Sequence, residues 1–136
     1  MNIKPHISLI KTINKAPDLF TVSTVRDFKI EADEPIDHGG QNLAPTPFDL
    51  LNSALASCTS IYLRSVCNKH KIDTGTISIR IVITRNEDKS FFFDRKIKFE
   101  KEINQEQKAF LLEQSNFSPT TIVLKKGNTI VTSLND

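Results

Sequence analysis

Two cysteines, Cys58 and Cys67, carry the sulfur chemistry open to this chain, and both fall in a stretch that reads as one helix. They are nine residues apart, so at 3.6 residues per turn they point to opposite sides, roughly 13 Å apart along the axis. A disulfide needs the two Cα atoms within about 7 Å. An intrachain bridge is therefore excluded while the helix is intact, and Cys67 cannot resolve an oxidised Cys58 of the same chain. Cys67 reads as a small packed residue. For Cys58 to react, its thiolate must be stabilised by a nearby cation or by hydrogen-bond donors. The helix dipole gives little help beyond the first turn. Arg26 is the first candidate for that cation, with Arg64 and Arg80 as alternatives, although each also reads as an ordinary solvated charge. His38 could serve transferase or hydrolase chemistry with Cys58, and it equally reads as a solvated loop histidine. The cysteines have no second pair or histidine at ligand spacing, the nearest being His70, so no metal site and no cofactor is expected.

The element that must position Cys58 starts at Thr46-Pro47. Thr46 can cap, Pro47 suits the first helical position, and Asp49 stands where the acid of a capping box would stand. From Pro47 to about His70, Phe48, Leu51, Leu55, Cys58, Tyr62 and Val66 follow steps of three and four, the spacing of an amphipathic helix. Leu50, Ala54, Ile61 and Leu63 widen the apolar stripe. Asn52, Ser53, Ser57, Ser60 and Ser65 are small or polar and would let another backbone approach. Asp73–Gly75 ends the helix.

The first third alternates in period two. His6–Ile13, Leu19–Val25 and Asp27–Ala32 read as strands of a meander, with a turn at Asn14–Asp18 and a less distinct break near Arg26. Asp33–Pro45 holds two prolines and two glycines in thirteen residues and reads as a loop. After the helix, Thr76–Arg85 and Phe91–Ile103 form a hairpin, with Ile77, Ile79, Ile81 and Ile83 on one face. Asn104 and Gln107 open a short helix to about Gln114. Thr121–Leu124 and Thr129–Leu134 read as strands joined at Gly127-Asn128. The expected order is βββ-α-ββ-α-ββ. Strands that cluster in hairpins indicate an α+β fold with antiparallel sheets packed on the long central helix. If both faces of that helix are apolar, a partner chain would cover the second.

The 136 residues suit one domain, residues 1–136. Charged residues make up 25% and apolar ones 38%, and the net charge is +2 with the basic residues spread out. That pattern argues against nucleic acid, which draws a basic patch or stripe. There is no apolar run near 18 residues, so no membrane span is expected. The first fifteen residues lack the pattern of an export signal. A cytoplasmic location with free thiols is therefore expected.

The segment DEPIDHGGQNLAPTPFDLLNSALASCTSIYLRSVCNKHKID, from Asp33 to Asp73, closely resembles the OsmC/Ohr family of redox proteins. It is most similar to the branch with a DEP-GG loop, an Ala-Pro-x-Pro helix start followed by [YF][ED]LL, and an ALxxCT core. The resemblance implies an intertwined homodimer with two active sites at the subunit interface. It also implies a peroxidatic cysteine, here Cys58, that reduces organic hydroperoxides or hydrogen peroxide, and an arginine that supports the thiolate. In the family a second cysteine, in a Cys-Pro segment near the C-terminus, condenses with the oxidised one, and a dithiol reductant restores both. This chain departs there, because that cysteine aligns with Ser118, followed by Pro119. It departs again at the helix start, where Phe48 follows the proline and the acid is Asp49. The resemblance thus implies a one-cysteine peroxidase, with Cys58, Arg26 and Asp49 at its site and an external thiol reductant. The alternative is a non-enzymatic stress or small-ligand-binding protein in which Cys58 is a remnant.

Overall fold

The computed structural model describes residues 8–135, so His6 and Ile7 of the expected first strand lie outside the described residues. The chain forms two compact units, one ending at Leu51 and one beginning at Asn52.

The first unit is a three-stranded antiparallel meander, β1 (Lys11–Asn14), β2 (Thr21–Val25) and β3 (Phe28–Ala32). Asn14 holds the first turn, its side-chain amide donating to the carbonyls of Asp18 and Phe20 at 2.8 and 3.0 Å. The second turn, indistinct in sequence, is a two-residue connection between the paired Val25 and Phe28. Arg26 takes a positive φ of 52° there, a conformation that non-glycine residues seldom adopt.

The loop after β3 is built around one carboxylate. Asp33 is buried and accepts hydrogen bonds from the backbone N–H groups of Glu34, Gln41 and Leu43 at 2.8, 3.2 and 3.1 Å. The Gly39-Gly40 pair has a steric cause. Gly39 has φ 89°, and a Cβ on Gly40 would stand 2.0 Å from the carbonyl oxygen of Glu34. The DEP-GG motif is thus a loop closure, in which an acid collects donors and a glycine lets two backbones meet.

The long helix, α1, spans Pro47–His70, the boundaries its sequence pattern predicts. Its end is a Schellman turn: Lys71 takes φ 54°, and Ile72 N–H returns to the Cys67 carbonyl at 2.9 Å. Ile72 and Cys67 then meet in the core with Leu63 and Leu111. In the second unit α1 lies on the hairpin β4 (Ile77–Arg85) and β5 (Phe91–Phe99), and the Asn52 amide reaches the Ile81 carbonyl at 3.1 Å. Helix α2 (Gln105–Gln114) opens with a full capping box of Asn104 and Gln107.

The C-terminal reading needs correction. Thr121–Leu124, expected as a strand, lies within a third helix, α3 (Pro119–Lys125). The β-branched residues suggest a strand, but Ser118-Pro119 supplies an N-cap position and a proline at the first helical position, and these prevail. The hairpin expected at Gly127-Asn128 is also absent. Asn128 turns its amide back onto the carbonyls of Val123 and Lys126 at 2.8 and 3.0 Å. Residues 127–135 form no regular element, and Ile130, Val131 and Leu134 are exposed. The observed order is βββ-α-ββ-α-α. The α+β class, the antiparallel sheets and the long helix stand as expected.

Candidate functional site

Helix α1 begins as its sequence indicates. The Asp49 carboxylate accepts from the Thr46 N–H at 3.0 Å, and the Thr46 hydroxyl accepts from the Asp49 N–H at 3.1 Å. Asp49 therefore closes a capping box, which satisfies two backbone donors that a helix start leaves open.

The buried stripe of α1 is Leu55, Thr59, Leu63 and Cys67, at strict steps of four. The apolar spacing places Cys58 in that stripe; the fold places Thr59 there instead. Cys58 lies on the flank, half-buried, with its thiol free. Thr59 is tolerated in the core because its hydroxyl is fully used, donating to the Leu55 carbonyl at 2.7 Å and accepting a guanidinium N–H. Cys67 is free and fully buried beside Leu63 and Leu111. Burial pushes the Cys67 thiol up, against the weaker pull of the Arg64 charge and of a hydrogen bond with Thr74. A thiol in that setting is inert.

The guanidinium on Thr59 belongs to Arg95, which the sequence reading did not single out. Arg95 is half-buried on β5 and stands directly opposite Ile81 in the hairpin. Its Nη1 donates to the hydroxyls of Thr59 and Thr121, each at 2.8 Å. Its Nη2 donates to the Ser115 carbonyl at 3.1 Å, with the Ser115 hydroxyl at 3.5 Å. Thr121 also shares a hydrogen bond of 2.6 Å with Ser118, which is fully buried at the start of α3. Arg95 thus gathers α1, α3 and the turn after α2 around one cation. Burial pushes its pKa down, yet a guanidinium stays charged in proteins. No ion pair engages it among the described residues. The signal was present in β5, whose inward row reads Phe93, Arg95, Ile97, Phe99: one arginine in an otherwise apolar register.

The other expected site residues have separate settings. Arg26, in the first unit, is exposed at the hairpin turn with its guanidinium 5.1 Å from the centre of the Phe28 ring, a cation–π contact. His38 is exposed on a short 3-10 turn beside Asp37, at 3.1 Å. Arg64 is tied to the carbonyl of Gly75 at 2.5 Å. Arg80 is exposed on β4 opposite Lys96.

A cleft of about 560 Å³ opens beside Arg95 in the second unit. Its walls include Leu55, Phe93, Leu112 and Leu124, with Thr121 and Ser115 next to the guanidinium.

The family model described as OsmC-like protein matches residues 39–132. No curated protein sequence matches this chain. Among solved structures, the chain is similar to a protein assigned to the osmotic stress and detoxification response of Psychrobacter arcticus 273-4. That match has 19% identity and a TM-score of 0.73, covering 90% of this chain and 91% of that one. It is similar to an OsmC-like protein from Mycoplasma pneumoniae at 17% identity and a TM-score of 0.71, covering 90% and 89%. It is also similar to an organic hydroperoxide resistance protein, OsmC, from Legionella pneumophila, at 18% identity and a TM-score of 0.68, covering 90% and 92%. At these identities the likeness shows the fold. No helix among the described residues is long and apolar enough to cross a membrane.

Proposed function

This chain belongs to the OsmC-like protein family, and from that footing we propose that it is a thiol-dependent redox protein that reduces hydroperoxides through Cys58. The observation that carries this reading is the contrast between the two sulfurs. Cys58 is a free, half-buried thiol on the flank of α1, whereas Cys67 is shut into the core. In the proposed step the Cys58 thiolate attacks the outer peroxide oxygen. The O–O bond breaks, the alcohol leaves, and Cys58 becomes a sulfenic acid. Two equivalents of an external thiol then return Cys58 to the thiol, releasing water and the reductant's disulfide. An internal route is blocked. Cys67 lies nine residues along the same helix, and Ser118, at the family's second cysteine position, offers a hydroxyl that cannot form a disulfide.

The thiolate needs a cation. Arg26 is carried forward in that role. Arg95, which holds the hydroxyl of the residue next to Cys58, is the second guanidinium to test. Asp49 contributes by fixing the start of α1. The same reading takes the chain as one cytoplasmic domain that works as a homodimer. Exposed apolar side chains such as Ile61 on α1 and Val82 on β4 favour a second copy as their cover.

The test follows Cys58 with a sulfenate-trapping reagent while cumene hydroperoxide is titrated into the protein. Rapid trapping that is lost in Cys58→Ser and kept in Cys67→Ser supports the reading. Trapping no faster than free cysteine at the same pH overturns it.

A further inference from the structure

Arg95 presents a charge that meets no carboxylate among the described residues. A half-buried cation ordinarily draws a carboxylate, yet among the described residues Arg95 meets only two threonine hydroxyls and Ser115. These bonds engage Nη1 twice and set the carbonyl and hydroxyl oxygens of Ser115 at Nη2. The Nε–H makes no hydrogen bond to a described residue. The Nε side of the guanidinium is what these bonds leave open. In an arginine, Nε and the Nη next to it carry two parallel N–H donors that match the two oxygens of a carboxylate.

The cleft beside it has the complementary character. Its volume of about 560 Å³ lies in the range of small-molecule sites, which are mainly apolar with a few placed polar groups. Leu55, Phe93, Leu112 and Leu124 provide the apolar wall. The other charged side chains along it are Lys125 and Asp94. Asp94 is drawn to Lys96 at 3.6 Å on the outer face of β5, and the Lys125 amine sits on the Asn116 side-chain oxygen at 3.3 Å. One anionic head is thus balanced, while a neutral ligand would leave the guanidinium without a counter-charge.

We propose that this cleft is a binding site for a small apolar monocarboxylate, its head group on the Nε side of the Arg95 guanidinium and its hydrocarbon part along Phe93, Leu112 and Leu124. A phosphate-headed ligand fits less well, because it would bring a second negative charge towards Asp94. The site does not depend on the redox chemistry of Cys58, and it stands or falls separately.

The test uses the full chain and three probes of equal chain length: decanoate, decanol and decylamine. Calorimetry should show decanoate binding at least about tenfold more tightly than decanol, with decylamine binding weakest. In Arg95→Met the preference for decanoate over decanol should vanish, while Arg95→Lys should keep part of it. Leu124→Trp crowds the apolar wall and leaves the guanidinium in place, so it should weaken decanoate and decanol together. The Nε–H resonance of Arg95 should shift with decanoate and not with decanol. If Arg95→Met fails to fold, the probe series, Leu124→Trp and the resonance still decide. Equal binding of decanoate and decanol, a decanoate preference that survives Arg95→Met, or no decanoate binding at millimolar concentration would each overturn the proposal. The last result is also what a second copy of the chain seated in the cleft would produce.

Discussion

The Thr59 hydroxyl accepts a hydrogen bond from Nη1 of Arg95 at 2.8 Å, one residue past Cys58 on the same helix. This contact ties the register of α1 to the hairpin beneath it. Loss of the two partners should have unequal effects. Thr59→Val strands a guanidinium N–H in a half-buried site and should cost about 1–3 kcal/mol. Arg95→Met removes the charge together with its need for partners and should cost less. Urea denaturation of the two variants beside the parent chain checks the order. A larger loss for Arg95→Met would mean that the cation contributes net stability.

The two thiols should separate kinetically. Cys58 is half-buried, and Cys67 is fully buried with its pKa raised by burial. One thiol per native chain should therefore react readily with an alkylating reagent near pH 8, and the second only on unfolding. Peptide mapping should place the early label on Cys58. Early labelling of Cys67 would show that the core around Leu63 opens readily.

Acid should loosen the first unit through Asp33. Burial raises its pKa, but the N–H donors of Leu43, Glu34 and Gln41 together outweigh that effect and hold the carboxyl below its ordinary value. A carboxyl depressed in the folded state stabilises above its unfolded pKa of about 3.9, and that contribution fades as pH falls through the folded value. The denaturation midpoint should drop between about pH 5 and pH 3. Asp33→Asn should lower the midpoint at neutral pH and make the acid-induced drop shallower.

Gly40→Ala should damage the same loop through sterics. Its Cβ would meet the Glu34 carbonyl oxygen at 2.0 Å, and backbone cannot move aside as a flexible side chain can. A lowered melting temperature is expected, with faster proteolysis between Asp33 and Pro45. Gly127→Ala, where an added Cβ meets nothing within 4 Å, is the matched control and should leave both unchanged.

Local signals were legible wherever the physics is local. The bounds of α1 follow from Thr46, Pro47 and Asp49 at one end and from the stop signal at Asp73–Gly75 beyond the other. The meander, the β4–β5 hairpin and the Asn104 capping box follow from period-two alternation and cap chemistry. Both Cys58 and Cys67 could be kept apart on helix geometry alone. The C-terminal reading failed because Thr121–Leu124 has a strand composition, and the proline at the start of the turn outweighs it.

Tertiary structure decided which face of α1 is buried. A stripe written in steps of three and four leaves its axis uncertain by about one residue, some 100° of helix. That is the difference between Cys58 and Thr59 in the core. The deciding partner is Arg95 on β5, whose hydrogen bonds make a threonine acceptable inside and leave the neighbouring sulfur on the flank. No spacing rule within the helix could supply that, because the acceptor and donor are separated by 36 residues and meet only once the hairpin packs. The sequence by itself determined the family, the long helix and the strands before and after it, and the separation of the two thiols along that helix. The folded chain alone determined which cation lies beside its helix, since pairing across such a distance depends on packing and not on local order.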